Sequence, residues 1–311
     1  MIYDLKGKRV LVAGHRGMVG SALVRRLASE ACHVLTAGRA DADMTNPDKV
    51  MALLKKQKPD AIIIAAAKVG GILANDTYPA EFLYENLMIA SNLIHCAHKL
   101  DINRVLFLGS SCIYPKFAEQ PIEESSLLTG ALEPTNEWYA VAKIAGIKLA
   151  QAYRKQYGRS YISAMPTNLY GTGDNFDLQT SHVVPALIRK AHEAKVSEKS
   201  HIKIWGTGSA MREFLHVDDC ADALVFLLKT YDEPEHINVG YGEDLKIIDL
   251  TKVICRIVGF EGGILTDPAK PDGTPKKLMS AQKIRALGWR PSITLEQGIS
   301  ETYKYFVETY A

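Results

Sequence analysis

The chain has 311 residues with nearly balanced charge, 37 Lys and Arg against 35 Asp and Glu, and 47% of its residues are hydrophobic. This composition excludes disordered, collagen-like and coiled-coil proteins and is typical of one large globular domain or two smaller ones. A net charge of +2 is too small to indicate nucleic acid or an anionic membrane as the main partner. The ligand must therefore be sought in local motifs.

The wholly apolar runs, such as residues 61–67, are far shorter than the ~20 residues that a membrane helix needs, so we expect no membrane partner. The first eight residues carry three charges, and the next apolar run ends in glycines rather than in a cleavage site, so we expect no export signal. Five scattered cysteines without a CxxC pair are typical of a reduced chain, and the expected location is cytoplasmic. His95 and His98 share a helix face without a third ligand, so we expect no metal.

Short apolar runs alternate with helix-periodic segments through the first half of the chain. Strands that are apolar on both faces, alternating with amphipathic helices, indicate a parallel sheet covered on both sides. The predicted fold class is therefore α/β, with a Rossmann-type doubly wound parallel sheet. The predicted strands are 9–13, 33–37, 61–66, 104–109 and 160–165, and the predicted helices are 19–27, 47–56, 82–98 and 137–157.

After about residue 166 the alternation breaks, and loops rich in Gly, Asn and Asp predict a smaller α/β lobe that binds substrate. The regular segment 215–228 and the strand-like 237–239 are expected to return to the main sheet. We therefore predict a dinucleotide-binding domain of residues 1–166 and 214–239, and a substrate lobe of residues 167–213 and 240–311.

Gly14, Gly17 and Gly20 lie between the first predicted strand and the first predicted helix. Glycines at this spacing permit a tight turn, close approach of a pyrophosphate and close packing of the helix on the strand. Backbone N–H groups at the start of the helix then face the anion. The spacing alone also fits a glycine-rich connector, but the strand–turn–helix context favours a dinucleotide.

The end of the second strand carries Arg39 where an NAD site usually has an acidic residue. A guanidinium pairs with a 2′-phosphate, which a carboxylate would repel, so Arg39 together with Arg16 predicts NADP(H). The alternative is that both arginines are solvated surface residues. Asp41 and Asp43 follow directly and are candidates for contact with the adenine.

Tyr139 and Lys143 are four residues apart and thus share one face of the predicted helix 137–157. An ammonium held near a phenol favours the phenolate, which would lower a pKa that starts near ~10. Ser110 ends the strand 104–109, at the edge where open α/β sheets bind ligands. Its hydroxyl is placed to bond the substrate oxygen that Tyr139 protonates.

This combination resembles the short-chain dehydrogenase/reductase superfamily, and the length and extra lobe resemble its extended branch, whose members act on nucleotide-sugars. Longer blocks resemble the GDP-L-fucose synthase family, also called GDP-4-keto-6-deoxy-mannose 3,5-epimerase/4-reductases. The blocks are HRGMVG (15–20), AAKVGGI (66–72), GSSCIYP (109–115), MPTNLYG (165–171), MREFLHVDD (211–219) and KPDGTP (270–275). The resemblance thus covers nearly the whole chain.

The resemblance implies an NADPH-dependent enzyme that converts GDP-4-keto-6-deoxy-D-mannose to GDP-L-fucose by 3,5-epimerisation followed by 4-keto reduction. It also implies that Cys112 is the base and His182 the acid of the epimerisation, while Ser110, Tyr139 and Lys143 serve the reduction. From the residues alone, Cys112 also fits a small buried apolar residue and His182 a helix start.

The resemblance implies two sets of binding residues. The expected cofactor contacts are Gly14, His15, Arg16, Gly17, Met18, Val19, Gly20, Arg39, Asp43, Leu108, Gly109, Lys143, Pro166, Asn168, Leu169 and His182. The expected substrate contacts are Asn168, Lys190, Trp205, Arg212, Asp272 and Lys277. Each substrate residue also fits an ordinary surface position. The family often has Arg after Thr274-Pro275, and lysines at these places keep the charge but lose bidentate geometry.

Three rivals remain. Dehydratases of this branch carry an acidic pair where Ser111 and Cys112 stand, and a 4-epimerase would favour NAD, against Arg39. A non-catalytic NADP sensor would typically lose the Tyr or the Lys.

Extended reductases often pair through the helices here predicted at 82–98 and 137–157, which would make a four-helix interface, so we expect a homodimer. Small residues on the second helix would allow close approach of the backbones, although they equally suit packing on the chain's own sheet. These residues are Ala140, Ala142, Ala145 and Gly146.

Overall fold

The computed structural model describes residues 2–270 and 272–311. Pro271, part of the last of the six blocks, lies outside the described residues. In chain order the strands are β1 (Arg9–Ala13), β2 (His33–Ala37), β3 (Ala61–Ile64), β4 (Arg104–Leu108), β5 (Ser160–Pro166), β6 (Asn168–Tyr170), β7 (His201–Trp205), β8 (Met211–His216), β9 (Ile237–Val239), β10 (Asp244–Lys246), β11 (Gly263–Asp267) and β12 (Lys276–Lys277).

The helices surround these strands. In chain order they are α1 (Met18–Leu27), α2 (Pro47–Gln57), α3 (Ile72–Thr77), α4 (Pro79–Lys99), α5 (Glu137–Tyr157), α6 (Val183–Val196), α7 (Val217–Thr230), α8 (Ile247–Val258), α9 (Gln282–Ala286) and α10 (Leu295–Tyr310). A short 3-10 helix follows β4 at Ser111–Ile113, and others lie at Glu124–Ser126 and Pro134–Asn136.

The main sheet has six parallel strands in the order β2-β1-β3-β4-β5-β9. Every residue of β3 and β4 is buried. Apart from Arg104 at the start of β4, these strands, AIII and RVLFL, are wholly apolar, because helices cover both faces of the sheet. The predicted α/β class with a doubly wound parallel sheet is confirmed.

Two separate hydrophobic cores lie on the two faces of the main sheet. On one face α1 and α7 pack together and contribute Leu23 and Leu224 to the core. On the other face α2, α4 and α5 supply apolar residues such as Leu93 and Ile147. The three layers place the carboxyl ends of the strands along one open edge.

A smaller lobe is built around β8, which pairs with β10, β12 and β6. Strands β7 and β11 form a separate parallel pair. The core of this lobe lies among α6, α8 and α10 and includes Ile188, Ile254 and Phe306. The chain leaves this lobe at Val217, where α7 begins, and β9 then joins the main sheet beside β5. Residues 214–216, which the sequence assigned to the returning segment, belong to β8 in the smaller lobe.

Element boundaries follow local chemistry. Helix α5 has the predicted bounds, and Gly158 ends it in a left-handed conformation with φ +68°. Helix α4 begins three residues before the prediction because Pro79 occupies its first position, where a missing N–H costs nothing. Among the described helices, none is both long and apolar enough to cross a membrane.

Candidate active site

The turn after β1 has no room for side chains at two of its glycines, Gly14 and Gly20. Gly14 has φ +90°, and a Cβ there would lie 2.6 Å from the Ala66 backbone. A Cβ on Gly20 would lie 2.0 Å from the Gly14 carbonyl oxygen. Gly17 is the N-cap of α1 and offers no side-chain cap to the first N–H groups of the helix. This bare helix start fits the pyrophosphate of a dinucleotide.

The two arginines predicted to select the cofactor lie near the end of β2. The Arg16 guanidinium covers Gly38, since a Cβ on Gly38 would lie 3.2 Å from Arg16 Cζ. Arg39 is exposed. Two cations at this place suit a 2′-phosphate better than a bare ribose hydroxyl.

The other predicted residues of this region are held differently. The Asp43 carboxylate accepts the backbone N–H and the hydroxyl of Thr45, and these two bonds lower the pKa of Asp43. The Nδ1 atom of His15 is buried and has no hydrogen-bond partner. Met18 and Val19 open α1 and are half-buried.

Ser110 and Cys112 lie together at the carboxyl end of β4. Ser110 is the N-cap of the 3-10 helix Ser111–Ile113, and its hydroxyl accepts the Cys112 backbone N–H at 3.5 Å. The Cys112 side chain is 7% exposed. Burial raises the pKa of the Cys112 thiol, while the charge of Lys277, a hydrogen bond with Ser110 and the charge of Lys143 lower it. Cys112 is thus buried, as expected of a small apolar core residue, but polar and charged groups lie around it.

Lys143 lies on the inner face of α5 under the end of β4. Its Nζ donates to the Leu108 carbonyl oxygen at 2.7 Å and lies 4.9 Å from the centre of the Phe107 ring. Burial lowers the pKa of Lys143 to about 8, and the charge of Cys112 opposes this shift. The Nζ atom also lies 5.6 Å from the centre of the Tyr139 ring, so the predicted pair shares one helix face.

Tyr139 titrates in the direction opposite to the sequence-based expectation. Burial raises its pKa, the charge of Cys112 raises it further, and a hydrogen bond with Ser110 lowers it. The prediction that Lys143 lowers the Tyr139 pKa is therefore wrong for this structure. The physical reason is that desolvation of the buried phenolate prevails, while the Lys143 ammonium donates to Leu108.

His182 is the N-cap residue of α6 but makes no side-chain cap bond. Its side chain is exposed, and desolvation by the surrounding protein lowers its pKa. The preceding residues are tied to the main domain, since Gly71 N–H donates to the Thr180 carbonyl oxygen at 3.1 Å. This bond carries the helix start, with His182, toward the edge where β3 ends.

The remaining predicted cofactor residues line the ends of β4 and β5. A Cβ on Gly109 would lie 2.2 Å from the Met165 sulfur, so a side chain there would displace Met165. Pro166 is buried at the end of β5. Asn168 donates through Nδ2 to the Glu213 carbonyl oxygen at 2.8 Å, and Leu169 packs against the core of the main domain.

Trp205 presents an accessible aromatic face, 48% exposed, between two ammonium groups. The Nζ atoms of Lys190 and Lys270 lie 6.0 and 5.4 Å from the ring centre. Lys190 also donates to the Lys203 carbonyl oxygen at 3.1 Å. An aromatic face flanked by cations suits a nucleobase that carries a phosphate chain.

Arg212 and Asp272 are adjacent, but the aspartate carboxylate is already engaged. Arg212 Nη2 donates to the Asp272 backbone carbonyl oxygen at 3.3 Å. The Asp272 carboxylate accepts the Thr207 backbone N–H at 2.8 Å and its hydroxyl at 2.9 Å. Lys277 lies beside Arg212, because β12 pairs with β8 at these two residues.

Two acidic residues near this cluster were missed from the sequence. Glu133 is close enough to raise the pKa values of both Arg212 and Lys277 through its charge. Glu213 is fully buried, and its carboxylate accepts the backbone N–H groups of Gly242 at 2.6 Å and Met279 at 3.2 Å. An acid directly before the apolar pair Phe214-Leu215 of β8 was a usable signal for Glu213, whereas Glu133 has none.

Comparisons with known proteins agree with one another. The model of the NAD dependent epimerase/dehydratase family matches residues 10–240. The GDP-L-fucose synthase of Sinorhizobium fredii is 59% identical over 100% of this chain and 99% of its own length. A GDP-L-fucose synthetase from Naegleria fowleri, solved with NADP bound, is 28% identical with a TM-score of 0.91, covering 100% of this chain and 95% of that one. A GDP-6-OMe-4-keto-L-xylo-heptose reductase from C. jejuni is 33% identical with a TM-score of 0.92, covering 99% of both chains.

Proposed function

Because the chain belongs to the NAD dependent epimerase/dehydratase family and, within it, to the GDP-L-fucose synthases, we propose that it uses NADPH to convert GDP-4-keto-6-deoxy-D-mannose to GDP-L-fucose. The reaction is a 3,5-epimerisation followed by reduction of the 4-keto group. The observation that carries this proposal is the cluster of Ser110, Cys112, Tyr139 and Lys143 at the carboxyl end of β4.

The epimerisation needs a base and an acid on opposite faces of the sugar ring. Cys112 as thiolate takes the proton from C3 or C5, and the electron pair of the broken C–H bond passes into an enolate with the 4-keto oxygen. His182 returns a proton to the other face of that carbon. The ketone must still be present, because it makes the neighbouring protons acidic, so epimerisation precedes reduction.

The reduction uses the residues under the sheet edge. NADPH, when bound, supplies the hydride; the glycine turn at Gly14 to Gly20 would hold its pyrophosphate, and Arg16 and Arg39 its 2′-phosphate. Tyr139 gives a proton to the substrate oxygen at C4 while Ser110 holds that oxygen. Since burial raises the Tyr139 pKa, the phenol is protonated at neutral pH and ready to donate. The Lys143 ammonium is held beside Tyr139 by its hydrogen bond to the Leu108 carbonyl oxygen.

The proposal extends to the remaining predicted residues. The main domain, residues 1–166 with the segment that returns through β9, binds the cofactor through thirteen of the sixteen residues predicted from the sequence. The other three, Asn168, Leu169 and His182, belong to the smaller lobe. The smaller lobe, residues 167–213 and 240–311 together with residues 214–216 of β8, binds the GDP moiety. Its contacts are Asn168, Lys190, Trp205, Arg212, Asp272 and Lys277. For Asp272 the backbone N–H is the part left to bind, because Thr207 engages its carboxylate and Arg212 its carbonyl oxygen.

We also propose a homodimer that pairs α4 and α5 of two copies, and a cytoplasmic location consistent with five free cysteines. The small residues Ala140, Ala142 and Gly146 of α5 do not support this pairing, since they are buried within the chain itself. A Cβ on Gly146 would lie 2.5 Å from the Phe107 ring. The support comes instead from exposed apolar residues on the same helix pair, Tyr84, Trp138 and Val141.

The direct test incubates the purified chain with NADPH and GDP-4-keto-6-deoxy-D-mannose while nicotinamide absorbance and the sugar product are followed. We expect loss of NADPH and formation of GDP-L-fucose. Unchanged absorbance would favour an NADP sensor, and a reduced sugar without inversion at C3 and C5 would indicate a plain 4-reductase.

Two variants separate the half-reactions. Cys112→Ser should abolish solvent-deuterium exchange at C3 and C5, with Cys255→Ser, buried in the smaller lobe, as the matched control. Tyr139→Phe should lose reduction but keep the exchange. Wild-type exchange in Cys112→Ser would refute the base, and unchanged reduction in Tyr139→Phe would refute the acid.

A further inference from the structure

Lys277 was expected to contact a substrate phosphate, but its surroundings in the structure favour another role. Side chains alternate between the two faces of a strand, so the lysines of β12 point in opposite directions. Lys276 extends toward Asp244, with Nζ 3.5 Å from its carboxylate. Lys277 therefore extends to the other face, the one it shares with its strand partner Arg212.

The chain after Lys277 is tied to the segment that follows the Cys112 turn. The Ile122 N–H donates to the Leu278 carbonyl oxygen, and the Ser280 N–H donates to the Ile122 carbonyl oxygen, both at 2.8 Å. Gln120 accepts the Leu278 N–H through its side chain at 2.8 Å. These bonds fix β12 of the smaller lobe against the main domain close to Cys112.

Charged and polar groups from three elements lie near enough to Cys112 to interact with it electrostatically or by hydrogen bonds. They are Ser110 from its own turn, Tyr139 and Lys143 from α5, and Lys277 from β12. Lys277 is in turn faced by Cys112, Arg212 and Glu133. Of the groups that lower the Cys112 pKa, Lys277 acts most strongly, and Cys112 is the largest influence that raises the Lys277 pKa.

The two nearby lysines differ in their own bonds. Lys143 donates to the Leu108 carbonyl oxygen. Lys277 is half-buried, and within the residues that the structure describes it has neither a hydrogen-bond acceptor nor an ion-pair partner. A desolvated ammonium without a partner interacts strongly with a neighbouring anion.

We propose that Lys277 is a positioning residue of the epimerisation, whose ammonium stabilises the Cys112 thiolate and thereby makes this cysteine the base. This inference rests on the proposed function only in taking Cys112 as the base. When the thiolate removes the proton from C3 or C5, the C–H bond breaks, an S–H bond forms and the electron pair enters the enolate. His182 protonates the same carbon from the other face, and solvent then restores both residues.

In this proposal the ability of Cys112 to act as a base depends on residues of both lobes. Burial in the main domain alone keeps the Cys112 thiol protonated at neutral pH, since a buried thiolate is poorly solvated. The smaller lobe supplies the compensating cation on β12. Proton abstraction is therefore confined to molecules in which β12 is seated beside the Cys112 turn.

The test measures thiolate formation at Cys112 without any substrate. The rate of modification by methyl methanethiosulfonate is recorded against pH for the full chain, and the Cys112→Ser protein gives the background of the other cysteines. Lys277→Met should reduce the rate at neutral pH about tenfold, which corresponds to a rise of about one unit in the thiol pKa. Lys277→Arg should restore most of the rate, and Lys276→Met, whose lysine faces Asp244, should match wild type.

A second pair of measurements distinguishes the effect of Lys277 on the Cys112 thiol from its contact with the GDP moiety. GDP affinity is measured by calorimetry for the same variants, and deuterium exchange into GDP-4-keto-6-deoxy-D-mannose is measured without NADPH. An unchanged thiol profile in Lys277→Met with weakened GDP binding would overturn the proposal, and Lys277→Gln replaces the Met variant if that protein does not fold. Because the thiol assay needs no substrate, a wild-type chain that fails to turn over would reject the function alone.

Discussion

Desolvation moves apart the pKa values of the two proton-transfer residues of the proposed epimerisation. It raises the pKa of the Cys112 thiol and lowers the pKa of the His182 imidazole. At neutral pH both groups are therefore mainly uncharged, although the reaction uses a thiolate and an imidazolium. The reactive pair of thiolate and imidazolium carries the same number of protons as the uncharged pair of thiol and imidazole. The reactive pair is therefore a minor form whose proportion stays constant at any pH between the two pKa values.

This proportion predicts the pH dependence of exchange. The rate of deuterium exchange at C3 and C5 should be constant over a broad pH range. It should decrease at pH values below the lowered His182 pKa, because the Cys112 thiolate becomes protonated while His182 is already charged. It should also decrease above the raised Cys112 pKa, because the imidazolium is lost. The plateau should extend beyond the ordinary values of ~6.5 and ~8.5 for free His and Cys. A narrower profile would contradict this assignment, and Tyr139→Phe should keep the wild-type profile.

Gly20 illustrates how packing reverses an intrinsic preference. Replacing a glycine by alanine inside a helix normally stabilises it by ~1 kcal/mol. In Gly20→Ala the new Cβ would lie 2.0 Å from the Gly14 carbonyl oxygen, and overpacking against backbone costs about 1–3 kcal/mol. We expect a lower melting temperature and NADPH affinity reduced about tenfold, as measured by calorimetry and fluorescence titration.

Gly263→Ala is the matched control for this substitution. Its Cβ would lie 3.7 Å from the nearest atom, an ordinary contact, in the exposed strand β11. This protein should bind NADPH like wild type. Wild-type affinity in Gly20→Ala would mean that the turn has room for a methyl group and does not form a tight cradle.

At the scale of elements, the loop of residues 171–182 brings His182 to the cleft and contains a buried acid. Burial raises the pKa of Asp174 to about 7, and the backbone N–H of Asn175 only partly opposes this. Asp174 Oδ2 is buried without a hydrogen-bond partner. Because the folded pKa exceeds the unfolded value, stability is greatest below the unfolded pKa and declines as pH rises through about 7.

Asp174→Asn removes this titration. Relative to wild type, the variant should gain stability between pH 5 and pH 8, by a few kcal/mol at most, since one pKa unit corresponds to about 1.4 kcal/mol. Urea unfolding at both pH values measures the gain. Asp177→Asn in the same loop is the control, because hydrogen bonds with Thr180 lower the Asp177 pKa and its titration lies well below pH 5. If the free energy of unfolding differed between wild type and Asp174→Asn by the same amount at both pH values, the raised Asp174 pKa would be refuted.

The main sheet and the catalytic helix could be predicted because their signals are local. A run such as AIII is buried on both faces, and Gly158 ends α5 where the helical pattern stops. Tyr139 and Lys143 are one helical turn apart, so their shared face follows from periodicity. The position of Lys277 could not be predicted, because it depends on the pairing of two-residue β12 with β8, which leaves no periodic pattern in the sequence.

At the scale of the whole molecule, Glu213 connects the parts that complete the site. Its carboxylate accepts N–H groups from Gly242, after β9 of the main sheet, and from Met279, after β12. Its backbone carbonyl oxygen accepts the side chains of Thr167 and Asn168 at the end of β5. A single buried acidic residue thus links the main sheet, the smaller lobe and β12, the strand of Lys277, to one another.

The outer surface of the same molecule predicts its assembly. Trp138 and Val141 on α5 are 44% and 40% exposed, and Tyr84 on the adjoining α4 is 60% exposed. Covering these apolar side chains with a second copy would remove them from water. We expect a sedimentation mass twice the 34.3 kDa of the chain, reduced to one copy by Val141→Asp.

The control for this substitution is Val196→Asp at the end of α6, which introduces the same charge at a valine that is 69% exposed. It should remain dimeric, because α6 belongs to the smaller lobe and not to the paired helices. A wild-type mass of 34.3 kDa would reject the dimer, and a dimeric Val141→Asp would place the interface elsewhere. Since α5 also carries Tyr139 and Lys143 on its inner face, loss of pairing should lower turnover as well as mass, by loosening the helix that holds both residues.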